Sequence, residues 1–189
     1  MKFCSNCGAA ALAFRIPDGD TLPRYVCGQC ATIHYQNPKI VVGCLPEWQG
    51  RVLLCKRAIE PRLGFWTLPA GFLENGETLA AGALRETLEE ANARVAIDSL
   101  YTLISLPHIS QVYVMFRSTL GDLDFGPGTE SLEVALFREE DIPWDQLAFR
   151  TIGRTLRNFF LDRKLGGFPV HVSTIDRRIP PRPEVAGAA

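Results

Sequence analysis

Two Cys-x-x-Cys pairs near the start of the chain constrain its fold more than any other feature. The pairs are CSNC (Cys4, Cys7) and CGQC (Cys27, Cys30), and a polar stretch with glycine and proline separates them. A segment this short cannot build a hydrophobic core of its own. Four thiolates at this spacing are typical of a tetrahedral zinc site with no position left for water. We therefore expect a structural zinc ribbon over residues 1–36.

Two other functions of this segment are less well supported by its residues. A redox Cys-x-x-Cys motif needs only one pair and would leave the second pair idle. Zinc ribbons can bind nucleic acid, but that role calls for a basic surface, and here the charges nearly cancel. The charged residues before residue 36 are Lys2, Arg15, Asp18, Asp20 and Arg24. Nucleic acid is therefore an unexpected partner.

The overall composition indicates an ordinary globular protein. The 189 residues are 47% hydrophobic and carry a net charge of −1, so no basic field points to nucleic acid or to an anionic membrane. The start, MKFCSNCG, lacks the apolar region of a signal peptide, and no apolar run reaches the length of a membrane span. We expect a cytoplasmic protein with no membrane partner.

The pattern beyond residue 36 predicts alternating strands and helices. KIVVGCL and RVLLCKR are β-rich runs separated by a turn, and three more strands are expected between residues 99 and 139. A last helix is predicted from Thr151 to Lys164. These elements favour a mixed α/β sandwich over residues 37–168. The proline-rich residues 169–189 have little to bury, so we expect a partly disordered tail.

A glutamate-rich helix follows the two β-rich runs. Asn75 to Thr78 supply N-cap chemistry, and Asn92 suits a left-handed C-terminal cap. At 100° per residue, Glu86, Glu89 and Glu90 share one face, where like charges repel. Apolar positions are expected to pack on the opposite side of the helix, namely Ala80, Leu84, Thr87, Leu88 and Ala91.

The residues around this helix resemble a known family motif. Gly71, Glu77, Arg85 and the three glutamates follow the pattern G-x5-E-x7-R-E-x-x-E-E. This segment resembles the Nudix box, and the resemblance to Nudix hydrolases extends over roughly residues 4 to 165. It implies an α+β fold, a Nudix-type α/β/α sandwich with a mixed sheet, preceded here by the small zinc ribbon. The box departs from the usual pattern at Asn92, where glycine is usual, and at Thr87, where an aliphatic residue is common.

The resemblance also implies roles for residues of the box. Glu86, Glu89 and Glu90 would bind Mg²⁺ or Mn²⁺ with the carbonyl oxygen of Gly71, and hard divalent cations do prefer oxygen ligands. Arg85 and Glu77 would orient the loop and the helix through an ion pair. A further acid often comes from a later loop, and GTESLEVALF offers Glu130 and Glu133. Glu130 is favoured as ligand or base, and Glu133 remains an alternative.

The order of ribbon and box is similar to that of the zinc-ribbon branch, which contains NADH pyrophosphatases and FAD/ADP-ribose pyrophosphatases. The stretch ISLPHIS lacks the NADH pyrophosphatase signature, so the resemblance implies hydrolysis of FAD or ADP-ribose with release of AMP. Phe72 and Tyr35 would stack against the substrate, and a homodimer is expected. The alternatives are NADH as substrate, removal of nucleotide caps from RNA, and a non-catalytic protein that binds a nucleotide or nucleic acid.

Overall fold

The chain folds into two compact units. The computed structural model describes residues 1–176, and these divide into Met1–Pro38 and a larger unit that begins at Lys39. Residues 177–189, most of the predicted tail, lie outside the described residues. Within the described part of the chain, neither helix is long and apolar enough to cross a lipid bilayer.

The N-terminal unit is a small antiparallel sheet held beside two cysteine loops. Each loop closes with a left-handed residue directly after its second cysteine, Gly8 at φ 75° and Ala31 at φ 56°. The amides of these two residues donate to the carbonyl oxygens of Cys4 and Cys27 at 2.9 and 3.0 Å. The two loops therefore repeat one geometry. The strands are β1 (Leu12–Arg15), β2 (Arg24–Cys27) and β3 (Ile33–His34).

The described residues of the larger unit form an eight-stranded mixed sheet with two α-helices. In chain order its elements are β4 (Lys39–Trp48), β5 (Arg51–Arg57), β6 (Trp66–Thr67), β7 (Ala70–Phe72), α1 (Leu79–Ala91), β8 (Val95–Leu106), β9 (Gln111–Leu120), β10 (Ser131–Phe137), α2 (Arg150–Leu165) and β11 (His171–Thr174). Three short 3-10 helices cover Pro107–Ile109, Glu139–Asp141 and Trp144–Gln146. The strand order is β10-β5-β4-β9-β8-β11, with β6 beside β5 and β7 beside β4. The β4–β9 and β8–β11 pairs are parallel and the other pairs are antiparallel.

Both faces of the sheet are buried, and successive side chains of a strand pack on opposite faces. On β4, Val42 and Cys44 pack in the cluster that contains Ala83 of α1, whereas Leu45 packs in the cluster that contains Leu156 of α2. The period of two along each strand sends neighbouring residues to opposite faces. The predicted α/β/α sandwich with a mixed sheet is therefore confirmed.

Helix α1 begins and ends where the sequence predicts. The Thr78 hydroxyl accepts a hydrogen bond from the amide of Ala81 at 3.1 Å, and Asn92 adopts a left-handed conformation at φ 48°. These caps satisfy backbone groups that the helix leaves free at its ends. Both are local features, so the sequence alone was enough to place them.

The predicted packing face of α1 is confirmed at Thr87 and Ala91, which are fully buried, but it is wrong at its two leucines. Leu84 and Leu88 are 38% and 48% exposed, whereas Glu90 is only 7% exposed and lies on the same side as the fully buried Ala83. A Cβ on Gly82 would lie 2.9 Å from side-chain atoms of both Val42 and Leu73. The helix therefore approaches the sheet closely through its smallest residues, which leaves the two leucines at the margin of the contact.

The start of the predicted tail also needs correction. Residues His171–Thr174 form β11, an edge strand parallel to β8, and Ile175 is buried after it. His171 Nε2 lies 2.6 Å from the buried Asp162 Oδ2, which also accepts a hydrogen bond from the Tyr101 hydroxyl at 2.7 Å. A four-residue strand has little pattern of its own. Its position depends on pairing with β8, which is distant in sequence, and on the buried carboxylate of Asp162.

Candidate active site

The Nudix-like segment forms one side of a cleft of about 860 Å³ in the larger unit. Strand β7 and helix α1 place Gly71 and the three glutamates along this side. The loop before β10 adds Glu130. The remaining walls are largely apolar and come from the loop after β5, the 3-10 turn after β8, the start of β9, and the residue before α2. Their apolar members include Ile59, Pro61, Ile109, Tyr113 and Phe149.

The three glutamates of α1 differ in their exposure to solvent. The Glu89 side chain is 59% exposed and the Glu86 side chain 12%, while Glu90 as a whole is 7% exposed. Glu90 Oε2 accepts a hydrogen bond from the amide of Ala70 at 3.1 Å. The acidic face therefore extends from solvent into the protein interior. Its most buried carboxylate, that of Glu90, is hydrogen-bonded to the first residue of β7.

Burial changes the protonation of the two deeper glutamates. Removal from water raises the pKa of Glu90 to about 8, and the charges of Glu86 and Glu130 act in the same direction. The Ala70 amide and Arg57 oppose this rise. Burial also raises the pKa of Glu86, and its bond with Arg85 opposes that change. A bound cation would favour the ionised form of both groups, so the site is suited to positive charge.

Arg85 joins the acidic residues into one network. Its guanidinium forms two bonds with the Glu77 carboxylate, at 2.6 and 3.0 Å. Nη1 donates to Glu86 at 2.8 Å and to Glu89 at 3.0 Å, and Nη2 donates to the Phe72 carbonyl oxygen at 3.1 Å. The expected ion pair with Glu77 is present. Its extension to two of the box glutamates was not predicted.

Because Gly71 has no side chain, the Glu86 carboxyl group can lie directly against it. A Cβ at this position would overlap the carboxyl atoms of Glu86, which are the three nearest atoms to it. Gly128 has a similar role near the end of α1, because a Cβ there would overlap the carbonyl oxygen of Glu89. The Gly128 amide donates to the Glu90 carbonyl oxygen at 3.0 Å. These close approaches bring the loop that carries Glu130 next to the helix.

The structure separates the two candidate acids of the later loop. Glu130 lines the cleft, and its charge acts on both Glu86 and Glu90. Glu133 lies on β10 outside the cleft lining, where its carboxylate is 3.5 Å from Lys56 Nζ. Only Glu130 therefore lies among the box glutamates. Together these oxygens form a donor set suited to Mg²⁺ or Mn²⁺.

The two predicted stacking residues fall in different units. Phe72 lines the cleft, is 49% exposed, and has Lys39 Nζ 5.0 Å from its ring centroid. Tyr35 belongs to the N-terminal unit, is 63% exposed, and has the Arg24 guanidinium 5.1 Å from its ring centroid. Both rings are free to contact a ligand, and their stacking role stays a prediction.

The four predicted zinc ligands meet at one point of the N-terminal unit. Cys4 and Cys30 Sγ lie 3.7 Å apart, Cys7 and Cys27 Sγ lie 3.6 Å apart, and all four sulfurs are within 4.8 Å of one another. A zinc ion with tetrahedral bonds of about 2.3 Å separates its sulfur ligands by about 3.8 Å. The hydroxyl and the amide of Thr32 lower the pKa of Cys30, which favours a thiolate. The site fits a zinc ion.

Two of the cleft residues that the sequence did not predict contact each other. Arg57, at the end of β5, and Phe149, directly before α2, both line it, with the guanidinium carbon 5.2 Å from the ring centroid. They are separated by about 90 residues of sequence. No motif links them, and only the packing of the loop after β5 against the start of α2 brings them together.

The family comparison agrees with this geometry. Residues 37–159 match the NUDIX domain, and residues 2–36 match the Nudix N-terminal domain. The chain belongs to the Nudix hydrolase family. The zinc-ribbon branch inferred from the order of cysteines and box is confirmed with it. The chain is thus a Nudix pyrophosphohydrolase.

Several known Nudix proteins are similar to this chain. A crystal structure of a NUDIX hydrolase from Nitrosomonas europaea shares 62% identity and a TM-score of 0.91, over 94% of this chain and 100% of that one. An ADP-ribose pyrophosphatase of Methanocaldococcus jannaschii is 30% identical over 61% of this chain and 69% of its own length. The NAD-capped RNA hydrolase NudC of Photobacterium profundum is 30% identical over 72% of this chain, which spans about half of that relative (49%).

Proposed function

We propose that this Nudix hydrolase cleaves the diphosphate of a nucleoside diphosphate linked to another moiety, with ADP-ribose or FAD as substrate and AMP as a product. The observation that carries the proposal is the composition of the cleft. Carboxylates line one side, and apolar and aromatic side chains line much of the remainder. A substrate of this class has the same two parts, an anionic diphosphate and flat ring systems. The cleft volume lies within the range usual for small-molecule sites.

The carboxylate face would hold the divalent cation. Glu86, Glu89, Glu90 and Glu130 would supply carboxylate oxygens, and Gly71 its carbonyl oxygen. A bound Mg²⁺ or Mn²⁺ neutralises charge on a diphosphate and lowers the pKa of a coordinated water. Arg85 would hold Glu86 and Glu89 in position. In the N-terminal unit, the four cysteines would hold a structural zinc ion.

Glu130 is our candidate for the general base or a further ligand. It lies on a loop beside the carboxylate face, where it could accept a proton from the attacking water. Glu133 pairs with Lys56 of the neighbouring strand β5 and does not line the cleft, so Glu133 is the less suitable group. The attack of water on one phosphorus would form a new P–O bond as the bridging P–O bond breaks, which releases AMP and a second phosphate ester.

Relatives favour a second substrate within the same class. The NudC relative is named for hydrolysis of NAD-capped RNA, and its similarity covers 72% of this chain. NADH and NAD-linked RNA therefore form the alternative to ADP-ribose and FAD. The homodimer and the cytoplasmic location stay predictions from the sequence.

Product release from ADP-ribose, FAD, NADH and NAD-capped RNA in excess Mg²⁺ tests the proposal. We expect AMP, or AMP at the RNA 5′ end, from one favoured substrate. A Glu89→Gln variant should lose this turnover, because the substitution removes a charge while keeping the shape. Glu130→Gln should reduce turnover, whereas Glu133→Gln is a matched control that should retain it. Binding of nucleotide without turnover of any substrate would support the non-catalytic alternative instead.

A further inference from the structure

The N-terminus of helix α2 lacks the side-chain cap that helix α1 has. Its N-cap residue is Phe149, which forms no side-chain cap hydrogen bond, and its first turn contains no acidic residue. The amides of Ile152 and Gly153 donate to the Phe149 carbonyl oxygen at 3.1 and 3.3 Å. In the part of the chain that the structure describes, the amides of Arg150 and Thr151 have no acceptor. Two donors are therefore available at the positive end of the helix dipole.

The side chain of Thr151 is a second polar group without a partner at this end of the helix. Thr151 is only 2% exposed, and within residues 1–176 its Oγ1 atom makes no hydrogen bond. Leaving a buried hydroxyl without a hydrogen bond is unfavourable. Helical side chains tilt toward the helix N-terminus, so this hydroxyl lies over the first turn, beside the two free amides. The three groups point to an acceptor outside the described residues.

The first residue of α2 adds positive charge at the same place. Arg150 is exposed, and it forms no ion pair with a carboxylate of the described residues. The helix dipole repels a cation at this end and attracts an anion. Free amides, a hydroxyl and a guanidinium together are a donor set suited to phosphate oxygens. An anion bound here would offset a charge that otherwise destabilises the helix.

This donor set lies next to the cleft but apart from the carboxylate face. Phe149 lines the cleft, and Arg150 follows it directly without lining the cleft. The proposed metal ligands lie on β7, on α1 and in the loop before β10. A diphosphate held by the metal ion is therefore bound by other elements. A phosphate at the start of α2 would belong to a different part of the substrate.

Two more arginines extend the positive charge along the solvent face of α2. Arg154 and Arg157 follow Arg150 at helical spacing, so the three share one face over a length of about 10 Å. Arg154 Nη1 donates to the last carbonyl oxygen of β11 at 3.2 Å, and the Arg157 guanidinium carbon lies 5.1 Å from the Trp144 ring centroid. These contacts hold the side chains in place and neutralise neither charge. The only acid of α2, Asp162, is buried.

We propose that the N-terminus of α2 binds a phosphate group that the substrate carries outside its diphosphate, through the two free amides, the Thr151 hydroxyl and Arg150. This assignment rests on the diphosphate hydrolysis proposed above and adds a second anion site to it. Two sources share this chemistry, namely a phosphate on the ribose of the nucleotide and the phosphodiester backbone of an RNA joined to it. We favour the backbone, because Arg154 and Arg157 continue the site beyond the reach of one phosphate.

The competing explanation is that water hydrates the end of α2 and that Arg150 is an ordinary surface residue. Arg150→Gln removes the guanidinium, and Thr151→Val removes the hydroxyl while keeping the branched shape. Arg94→Gln is the matched control, because Arg94 is also exposed and has no carboxylate partner among residues 1–176, but lies between α1 and β8.

Calorimetric titration in Mg²⁺ with three ligands that contain no diphosphate tests the assignment. The ligands are AMP, adenosine 3′,5′-bisphosphate, and a 5′-phosphorylated RNA tetranucleotide that begins with adenosine. In the wild type, the tetranucleotide should bind about 10- to 100-fold more tightly than AMP, the usual effect of hydrogen bonds to a charged group. Arg150→Gln should lose most of this gain and Thr151→Val part of it, with AMP binding unchanged. Arg94→Gln should keep the gain.

The bisphosphate and a third variant distinguish the two sources of phosphate. A gain that is larger for the tetranucleotide than for the bisphosphate, and that Arg157→Gln reduces, would assign the site to an RNA backbone. An equal gain for both ligands that Arg157→Gln leaves unchanged would overturn the RNA backbone as the source and leave a site for one ribose phosphate.

The remaining outcomes separate the phosphate site from the proposed function. Equal Kd values for all three ligands in the wild type, or a gain that Arg150→Gln retains, would overturn the site. Turnover of ADP-ribose or FAD would then still leave the hydrolase intact, because neither substrate carries the additional phosphate. A wild type that neither binds AMP nor hydrolyses any substrate would overturn both. If Thr151→Val does not fold, Arg150→Gln decides, because it changes an exposed residue.

Discussion

Replacement of Gly71 by alanine should disable the acidic face while leaving the fold in place. A Cβ on Gly71 would overlap the carboxyl group of Glu86, and no backbone atom is among the three nearest atoms. Gly71 does not adopt a left-handed conformation, so the backbone accepts alanine at this position. The side chain of Glu86 must therefore move, and it is the end of a flexible chain.

The expected changes in Tm and in rate follow from the displacement of the Glu86 side chain from its rotamer. A side chain forced away from its rotamer costs about 0.5–1.5 kcal/mol. In a protein of this size, about 1 kcal/mol lowers Tm by about 2–4 °C. A displacement of about 1 Å near a reacting centre can reduce the rate by about 100-fold. We thus expect kcat/KM of Gly71→Ala to fall by at least about 100-fold, with Tm lower by only a few degrees.

Two measurements and one control test this reasoning. Release of AMP from the favoured substrate gives kcat/KM, and thermal denaturation gives Tm. Gly126→Ala is the control, because a Cβ there would meet no atom within 4 Å, so both values should match the wild type. If Gly71→Ala keeps a rate within about threefold of the wild type, the position of Glu86 is not needed for catalysis. A fall in Tm of more than about 10 °C would show that the sheet, rather than Glu86, absorbs the overlap.

Three further predictions concern the metal sites and the core. Elemental analysis should find one zinc ion per chain in the wild type and none in Cys27→Ser, because Cys27 supplies one of the four thiolates. Zinc retained at one ion per chain in the variant would contradict a four-cysteine site. Tyr101→Phe should lower the free energy of unfolding in urea by about 1–3 kcal/mol, because the buried Asp162 loses a hydrogen-bond donor; unchanged stability would contradict this. In magnesium-free buffer, stability should fall as pH rises from about 4.5 to about 8, since folded Glu90 keeps its proton up to a pKa of about 8 and the unfolded chain releases it near 4.5. Thermal denaturation should show a smaller fall in Mg²⁺ and in Glu90→Gln, and an equal fall in all three samples would refute the assignment to Glu90.

Features that depend on nearby residues could be predicted from the sequence. The caps of α1 at Thr78 and Asn92 depend on single side chains and one left-handed residue, and the structure has both. The four cysteines meet because each Cys-x-x-Cys loop turns two sulfurs toward the same side. The strands and helices of the sandwich have clear periods of two or 3.6 residues, which is why their order was also predictable.

Features that depend on tertiary packing could not be predicted. The rule that charged side chains face water placed Glu90 opposite the core, yet the close approach of Ala83 to the sheet buries it. Strand β11 depends on a parallel partner, β8, that is distant in sequence, and on the contact of His171 with the buried Asp162. Arg57 has no motif at all, because its significance depends on Phe149, which the fold places beside it.

The contrast between the two arginines of the cleft shows how one residue type can have two functions. Arg85 lies among carboxylates: its bonds to Glu86 and Glu89 hold repelling charges on one helical face, and its bonds to Glu77 join that face to the loop before α1. Arg57 lies beside a ring and a carbonyl oxygen, which fix its position without neutralising its charge. A cation already paired with carboxylates has little attraction left for an anionic substrate. Of the two arginines that line the described part of the cleft, Arg57 is therefore the one whose charge no carboxylate neutralises.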